Sequence, residues 1–276
     1  MTLLTGLMKM LTMPKDGIMK ILVCVKQVPD VERIVVRDAA DGMAALDISN
    51  EFRMNRFDEF AVEAAVRIKE SMAGASIHVI TVGPGRAADV LKRPLGMGAD
   101  QGIHLKTPTD ADPGPAAVAA FIAGYARSRG YRLILCGSMS EDGLNGQVGP
   151  MAAAYLDLPY ATQVIAIQPA PDPSELSIER EIEGGAREML AIRLPALLTL
   201  QPGINRPRYP SLSRLLRAHR QGVETIPTET LRPAEAWVER LGLMAPPRMR
   251  ASQVLTGSAR EKADRLAAIL KEKAFI

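Results

Sequence analysis

Chemistry-bearing residue types are densest in GSMSEDGLNGQVGP (137–150). Here Gly137, Gly143, Gly146 and Gly149 are interleaved with Ser138, Ser140, Asn145 and Gln147, and a helix opens behind them. Glycines let a backbone come close to a ligand, and free amides at a helix start attract phosphate. The pattern fits a phosphate-binding turn and an ordinary long βα loop equally. GPGRAA (83–88) has the spacing of a dinucleotide fingerprint with alanine in the third place. Pro84 stiffens that turn, however, and Leu105-Lys106 stand where such a site needs an acidic residue. No glycine-rich phosphate loop ending in Gly-Lys-Ser or Gly-Lys-Thr occurs. Catalytic groupings are thin. His78, His104 and His219 show no ligand spacing, and a histidine in a parallel strand is normally a satisfied core residue. Neither His-Glu-x-x-His nor Gly-x-Ser-x-Gly is found. Glu141 and Asp142 could act as acids or form a solvated loop pair. A chain with a nucleotide-type turn and no evident acid, base or nucleophile reads as a carrier or scaffold for a cofactor. No residue is given a catalytic or metal-ligating role.

Composition agrees with that reading. The 276 residues suit one large domain or two small ones, and 47% hydrophobic with 24% charged residues excludes disordered and fibrous classes. A net charge of +3, from 34 basic and 31 acidic residues, is too balanced for a nucleic-acid binder. Two cysteines, Cys24 and Cys136, lie inside apolar runs, which excludes a disulfide scaffold and points to a reduced cytoplasmic protein. No apolar run reaches the roughly 18 residues of a membrane span. Residues 1–18 are Met- and Leu-rich but are broken by Lys9 and lack a basic leader or cleavage site. They read as an extension, disordered or peripheral, ahead of a domain that starts at Met19.

The elements that would position the glycine-rich turn follow an alternating rhythm. KILVCV (20–25), SIHVITV (76–82), IHL (103–105), YRLILCG (131–137) and ALLTL (196–200) are short apolar runs, as expected of strands buried on both faces. Helical spacing over 57–72, 115–129 and 147–158 separates them, and GPGRAADVLKRPLGMG predicts another helix. Alternation of this kind predicts an α/β fold with a doubly wound, mostly parallel, Rossmann-like sheet. A possible hairpin falls between residues 31 and 49. TQVIAIQ, LSIEREI and REMLAIRL alternate apolar and polar residues, with Gly184-Gly185 before the last, and predict an added antiparallel hairpin. The domain is expected to close at residue 221. Residues 222–276 read as an extended arm that ends in an amphipathic helix over 258–273 and needs a partner's surface. In a doubly wound sheet the ligand lies beyond the carboxyl ends of the strands, where the strand order reverses. That directs attention to loops 24–30, 55–58, 82–86 and 137–150.

Several long motifs resemble the β subunit of electron-transfer flavoprotein, the FixA-like group. IEREIEGGAREMLAIRLPALLT (178–199) fits that family's signature through Arg180, Glu183-Gly184-Gly185, Glu188, Leu190, Pro195 and Thr199. NRPRYPSL (205–212), MKILVCVKQVPD, NRFDEFAVEAAVRIKE and LGMGAD agree with it, from residue 19 to about residue 275. The resemblance implies a heterodimer whose α subunit holds the electron-carrying FAD, with the arm of this chain packed on that subunit. It implies electron transfer between an acyl-CoA dehydrogenase-type flavoenzyme and a downstream acceptor. Oxidoreductase activity would then belong only to a complex, if that complex bifurcates electrons. It places nucleotide contacts at Cys24, Asn55, Arg56, Phe57, Asp58, Val82, Gly137, Ser138, Asp142, Asn145, Gly146, Gln147 and Val148. It places partner docking at Leu212, in a loop with Pro207 and Pro210 and ringed by Arg206, Arg208 and Arg214. The nucleotide is AMP or, in bifurcating members, a second FAD. The second FAD is favoured, since Gly146 and Gly149 remove side chains where a larger ligand would pass and Val148 replaces a hydroxyl. Arg56 departs from the family, which commonly has proline there. Two other readings compete: a free-standing, stress-sensor-like nucleotide module, which would end near residue 165, and a nicotinamide dehydrogenase.

Overall fold

The computed structural model describes residues 19–30, 32–33, 35–38, 44–47, 51–72, 74–110, 112–231 and 252–276. The extension read over residues 1–18 and the part of the arm over 232–251 lie outside them. Among the described residues, nine strands form one sheet. In sequence these are β1 (Lys20–Cys24), β6 (Ser76–Gly83), β7 (Gln101–Lys106), β8 (Leu133–Gly137), β9 (Tyr160–Pro169), β10 (Glu175–Glu181), β11 (Arg187–Arg193), β12 (Ala196–Leu200) and β13 (Val223–Pro227). Their spatial order is β11-β10-β9-β12-β8-β1-β6-β7-β13. All pairs from β9 to β13 are parallel, and the β10–β11 hairpin adds antiparallel strands at one edge. The order reverses between β1 and β8, because the chain leaves β1 toward β6 and β7 and returns to β8 on its other side. The α/β, doubly wound fold expected from the alternating pattern is the one observed. Smaller two-stranded sheets pair β2 (Gln27–Pro29) with β5 (Phe52–Met54) and β3 (Val35–Asp38) with β4 (Ala44–Asp47).

Alternation along a fully buried strand gives each face its own core. On β1, Ile21 and Val23 enter one cluster and Leu22 and Cys24 the other. Fully burying such an aliphatic side chain contributes roughly 1.5–3 kcal/mol. Helix α1 (Arg56–Ser71) carries Asp58 and Glu59 in its first turn, and its buried face is largely small, with Ala61, Ala64 and Ala65. The expected helix after β6 is instead a 3₁₀ stretch (Gly85–Leu91) running into the short α2 (Lys92–Met97). Pro94 has no N–H to offer an extended α ladder. Helices α3 (Gly114–Ala126) and α4 (Val148–Leu156) complete the second layer. Helix α5 (Leu212–Arg220) starts at Ser211, whose Oγ accepts from the Arg214 N–H. Past residue 221 the sheet gains a further strand, since β13 pairs with β7 in register Val223↔Gly102 to Pro227↔Lys106. VETIP is short and mostly exposed, so it lacks the apolar run that reveals a buried strand. The chain divides into two compact units, the larger holding the nine-stranded sheet and the smaller holding helix α6 (Ala259–Glu272). That helix opens with a capping box between Ser258 and Glu261. Among the described residues, no helix is long and apolar enough to cross a membrane.

Candidate functional site

The carboxyl ends of β1 and β8 converge where the strand order reverses, and the first turn of α1 closes the space between them. Asp58 joins all three. It is buried, its Oδ2 accepts the Lys26 N–H at 2.7 Å, and its Oδ1 accepts the Gly137 N–H at 3.2 Å. Gly137 is required by this closure. A Cβ there would lie 2.5 Å from Asp58 Oδ1 and 2.7 Å from both the Phe57 carbonyl carbon and Phe57 Cβ. Asn55, also buried, ties the next segment: its Nδ2 donates to the Met139 carbonyl at 2.8 Å and its Oδ1 accepts the Glu141 N–H at 3.1 Å.

Charge completes the loop. Lys26 Nζ lies 2.8 Å from Asp142 and 3.5 Å from Ser140 Oγ. Glu141 meets Arg53 at 3.2 Å and accepts the Arg56 N–H at 3.3 Å, an acid at the positive end of α1. Glu141 and Asp142 are therefore tethers rather than a solvated pair. Cys24 and Cys136 face one another from β1 and β8, and that contact, with burial, raises the Cys136 thiol well above its ordinary value. Val82 and Val148 pack against the same core cluster as both thiols.

The structure thus brings Cys24, Asn55, Arg56, Phe57, Asp58, Gly137, Ser138 and Asp142 into one neighbourhood, and the loop continues through Asn145, Gly146 and Gln147 to Val148 at the start of α4. Two of them face the protein. Both oxygens of Asp58 are taken by backbone donors, and Ser138 is buried, with Oγ donating to Gln201 at 3.4 Å. Asp58 is a brace. Lys26 is the residue that inspection of the sequence passed over; a lysine two places past the first strand's last residue was the available signal. Gly149 also reads differently in three dimensions. A Cβ there would meet Thr199 Cγ2 at 2.5 Å, so this glycine lets α4 approach β12 and does not clear space for a ligand. His104 is a satisfied core histidine whose Nε2–H donates to the Gly83 and Pro84 carbonyls at 2.9 and 3.1 Å. Among the described residues, no group of three or more His, Cys, Asp or Glu is placed to hold a metal ion.

Burial raises the Asp58 carboxyl from 3.8 to about 7, against hydrogen bonds from Lys26, Asn55 and Gly137 and the charge of Lys26. The folded protein therefore keeps a proton at pH values where the unfolded chain has released it. The stability this contributes is complete below about pH 4 and is lost as the pH rises through about 7. Asp58→Asn should flatten the fall in melting temperature between about pH 5 and 7.5. An unchanged slope in thermal unfolding across that range would contradict the assignment.

Sequence comparison places the chain among known proteins. The electron transfer flavoprotein domain family matches residues 44–236. The chain is 31% identical over 263 residues to the electron transfer flavoprotein subunit beta of Bacillus subtilis (strain 168), covering 94% of this chain and all of that protein. It is 35% identical over 210 residues to the subunit beta of Homo sapiens, covering 75% of this chain and 81% of that one. It is 34% identical over 256 residues to the mitochondrial subunit beta of Oryza sativa subsp. japonica, covering 90% and 97%. The chain belongs to the electron transfer flavoprotein β-subunit family. The family match extends past the β10–β11 hairpin to residue 236, well beyond the point near residue 165 where a stress-sensor-like module would stop. Leu212 is the first residue of α5 and is 72% exposed. Arg208 does not ring it; that side chain turns inward onto Glu63 and Glu70.

Proposed function

We propose that the chain is the β subunit of a heterodimer that carries electrons between an acyl-CoA dehydrogenase-type flavoenzyme and a downstream acceptor, with a nucleotide held in its own switch-point crevice. Family membership supports the electron-carrying role and the α-subunit partner. One observation carries the nucleotide reading: the Gln147 side chain does not cap the start of α4, so the Val148 and Gly149 amides there have no capping side chain, Pro150 having no N–H to offer. Lys26 stands beside the same loop, and Gly146 turns it at φ +63°. Amides at a helix start together with an ammonium fit a phosphate. Backbone from Gly137 to Val148 and the side chains of Asn145 and Gln147 would hold the nucleotide, while Val82 and Val148 offer apolar surface. A flavin supplies the redox chemistry when bound, and the protein binds and orients it. Leu212, with Arg206 and Arg214 nearby in sequence, suits an acidic partner with a small apolar pocket. The arm, ending in α6, is assigned to the α subunit. The two buried thiols support a reducing, cytoplasmic setting.

The second FAD remains our choice over AMP, resting on Gly146 and Val148 now that Gly149 is committed to packing. This reading makes the heterodimer a bifurcating or confurcating one, with NADH among its redox partners. Acid extraction of the purified heterodimer tests it. Two FAD per heterodimer and no AMP is the expected result; one FAD with one AMP overturns the choice of nucleotide, and no nucleotide beyond a single FAD overturns the site.

A further inference from the structure

The loop between β12 and α5 is held by a buried charge, an unusual way to fix a surface loop. Glu63, on the core side of α1, has a side chain only 3% exposed. Its Oε2 accepts Arg208 Nε–H at 2.9 Å and the Arg208 backbone N–H at 3.2 Å, and its Oε1 accepts Arg208 Nη2–H at 3.1 Å and Arg67 Nε–H at 2.8 Å. The outer edge of the same guanidinium closes on Glu70, with Nη1 and Nη2 at 2.6 and 3.0 Å from its two oxygens. Burial pushes the Glu63 carboxyl up, and Arg208 and Arg67 more than reverse it, so it stays charged. Asn205 adds a second tie, Nδ2 donating to the Phe60 carbonyl at 2.9 Å. Beyond these ties the loop exposes Tyr209 by 86%, and the first residue of α5, Leu212, is 72% exposed.

We propose that Arg208 is a positioning residue that latches the 205–212 loop onto α1, so that Leu212 is presented to the partner flavoenzyme in one shape before contact. The inference rests on the docking reading of Leu212. A latched loop has little conformational freedom left to lose on association, so its ordering does not weaken binding. Lysine would keep the charge but lose the planar fork that spans two carboxylates.

The test uses the intact heterodimer with an acyl-CoA dehydrogenase-type flavoenzyme. Arg208→Lys and Glu70→Gln are the latch variants, Glu70→Gln being the milder because that residue is exposed, and Leu212→Ala is the docking control. We expect Arg208→Lys to raise KM for the heterodimer roughly tenfold, with kcat and bound flavin unchanged. Amide exchange over 206–212 should quicken, with a smaller change in the same direction for Glu70→Gln. If Leu212→Ala raises KM while both latch variants leave KM and exchange unchanged, the latch is wrong and the docking reading survives. If Leu212→Ala leaves KM unchanged, the docking reading fails and the proposal falls with it.

Discussion

Gly137→Ala is expected to destabilise the protein by about 3 kcal/mol, the upper end of the usual overpacking range, and to empty the nucleotide site. The added methyl would meet Asp58 Oδ1 at 2.5 Å and the Phe57 carbonyl carbon at 2.7 Å. A backbone atom cannot rotate aside, so α1 has to move away from the end of β8. That movement breaks the Asp58 hydrogen bonds to Gly137 and Lys26 and unseats Asn55 from Met139 and Glu141. Gly149→Ala should be milder, because its worst contact, Thr199 Cγ2 at 2.5 Å, is a side-chain methyl. Gly85→Ala, where nothing lies within 4 Å, serves as the neutral control. Denaturant unfolding and nucleotide content of the three purified variants give the order. A Gly137→Ala protein as stable and as loaded as Gly85→Ala would show that the convergence of β1, β8 and α1 does not form the site.

Ending the chain at Leu231 should leave the nine-stranded domain folded and abolish the heterodimer. Removing everything from residue 222 would confuse two effects. It would strip β13 from β7, and with it the Thr228 hydroxyl that donates to the Lys106 carbonyl at 3.2 Å and Leu231, which packs on the second core cluster. The cut at Leu231 spares all of these. What it removes includes α6, a helix that buries none of its residues and leaves Leu266 48% exposed. Co-purification with a tagged α subunit reads the outcome, with circular dichroism as the control for folding. A stable, flavin-loaded heterodimer lacking residues 232–276 would remove the arm from the interface.

The sheet was legible because parallel strands buried on both faces write themselves as apolar runs. LVCV and LILCG cannot be exposed, and the helices between them fix the crossovers. The glycine-rich loop was less decisive, since its glycines suit a phosphate-binding turn and an ordinary long loop equally, and two of them, Gly137 and Gly149, are required by packing within the protein. What stayed hidden depended on partners distant in the chain. Arg208 looked like a surface cation because its counter-charge, Glu63, lies 145 positions earlier on the buried face of α1. Gly149 looked like room for a ligand because Thr199 belongs to another strand. Asp58 looked like a contact residue, and only the register of β1 and β8 shows its oxygens already occupied.

Helix α1 serves two masters. Its first turn, through Asn55 and Asp58, sets the loops assigned to the nucleotide; its later turns, through the Phe60 carbonyl, Glu63 and Glu70, set the loop assigned to the partner. On the docking reading proposed above, substitutions on α5, such as at Arg214, Leu216 or Arg217, would retune partner choice without disturbing the proposed nucleotide site. Substitutions on α1 could not. On the same reading, divergence toward new partners would be channelled into the ten or so residues after Arg208, while the sixteen of α1 would answer to two constraints at once.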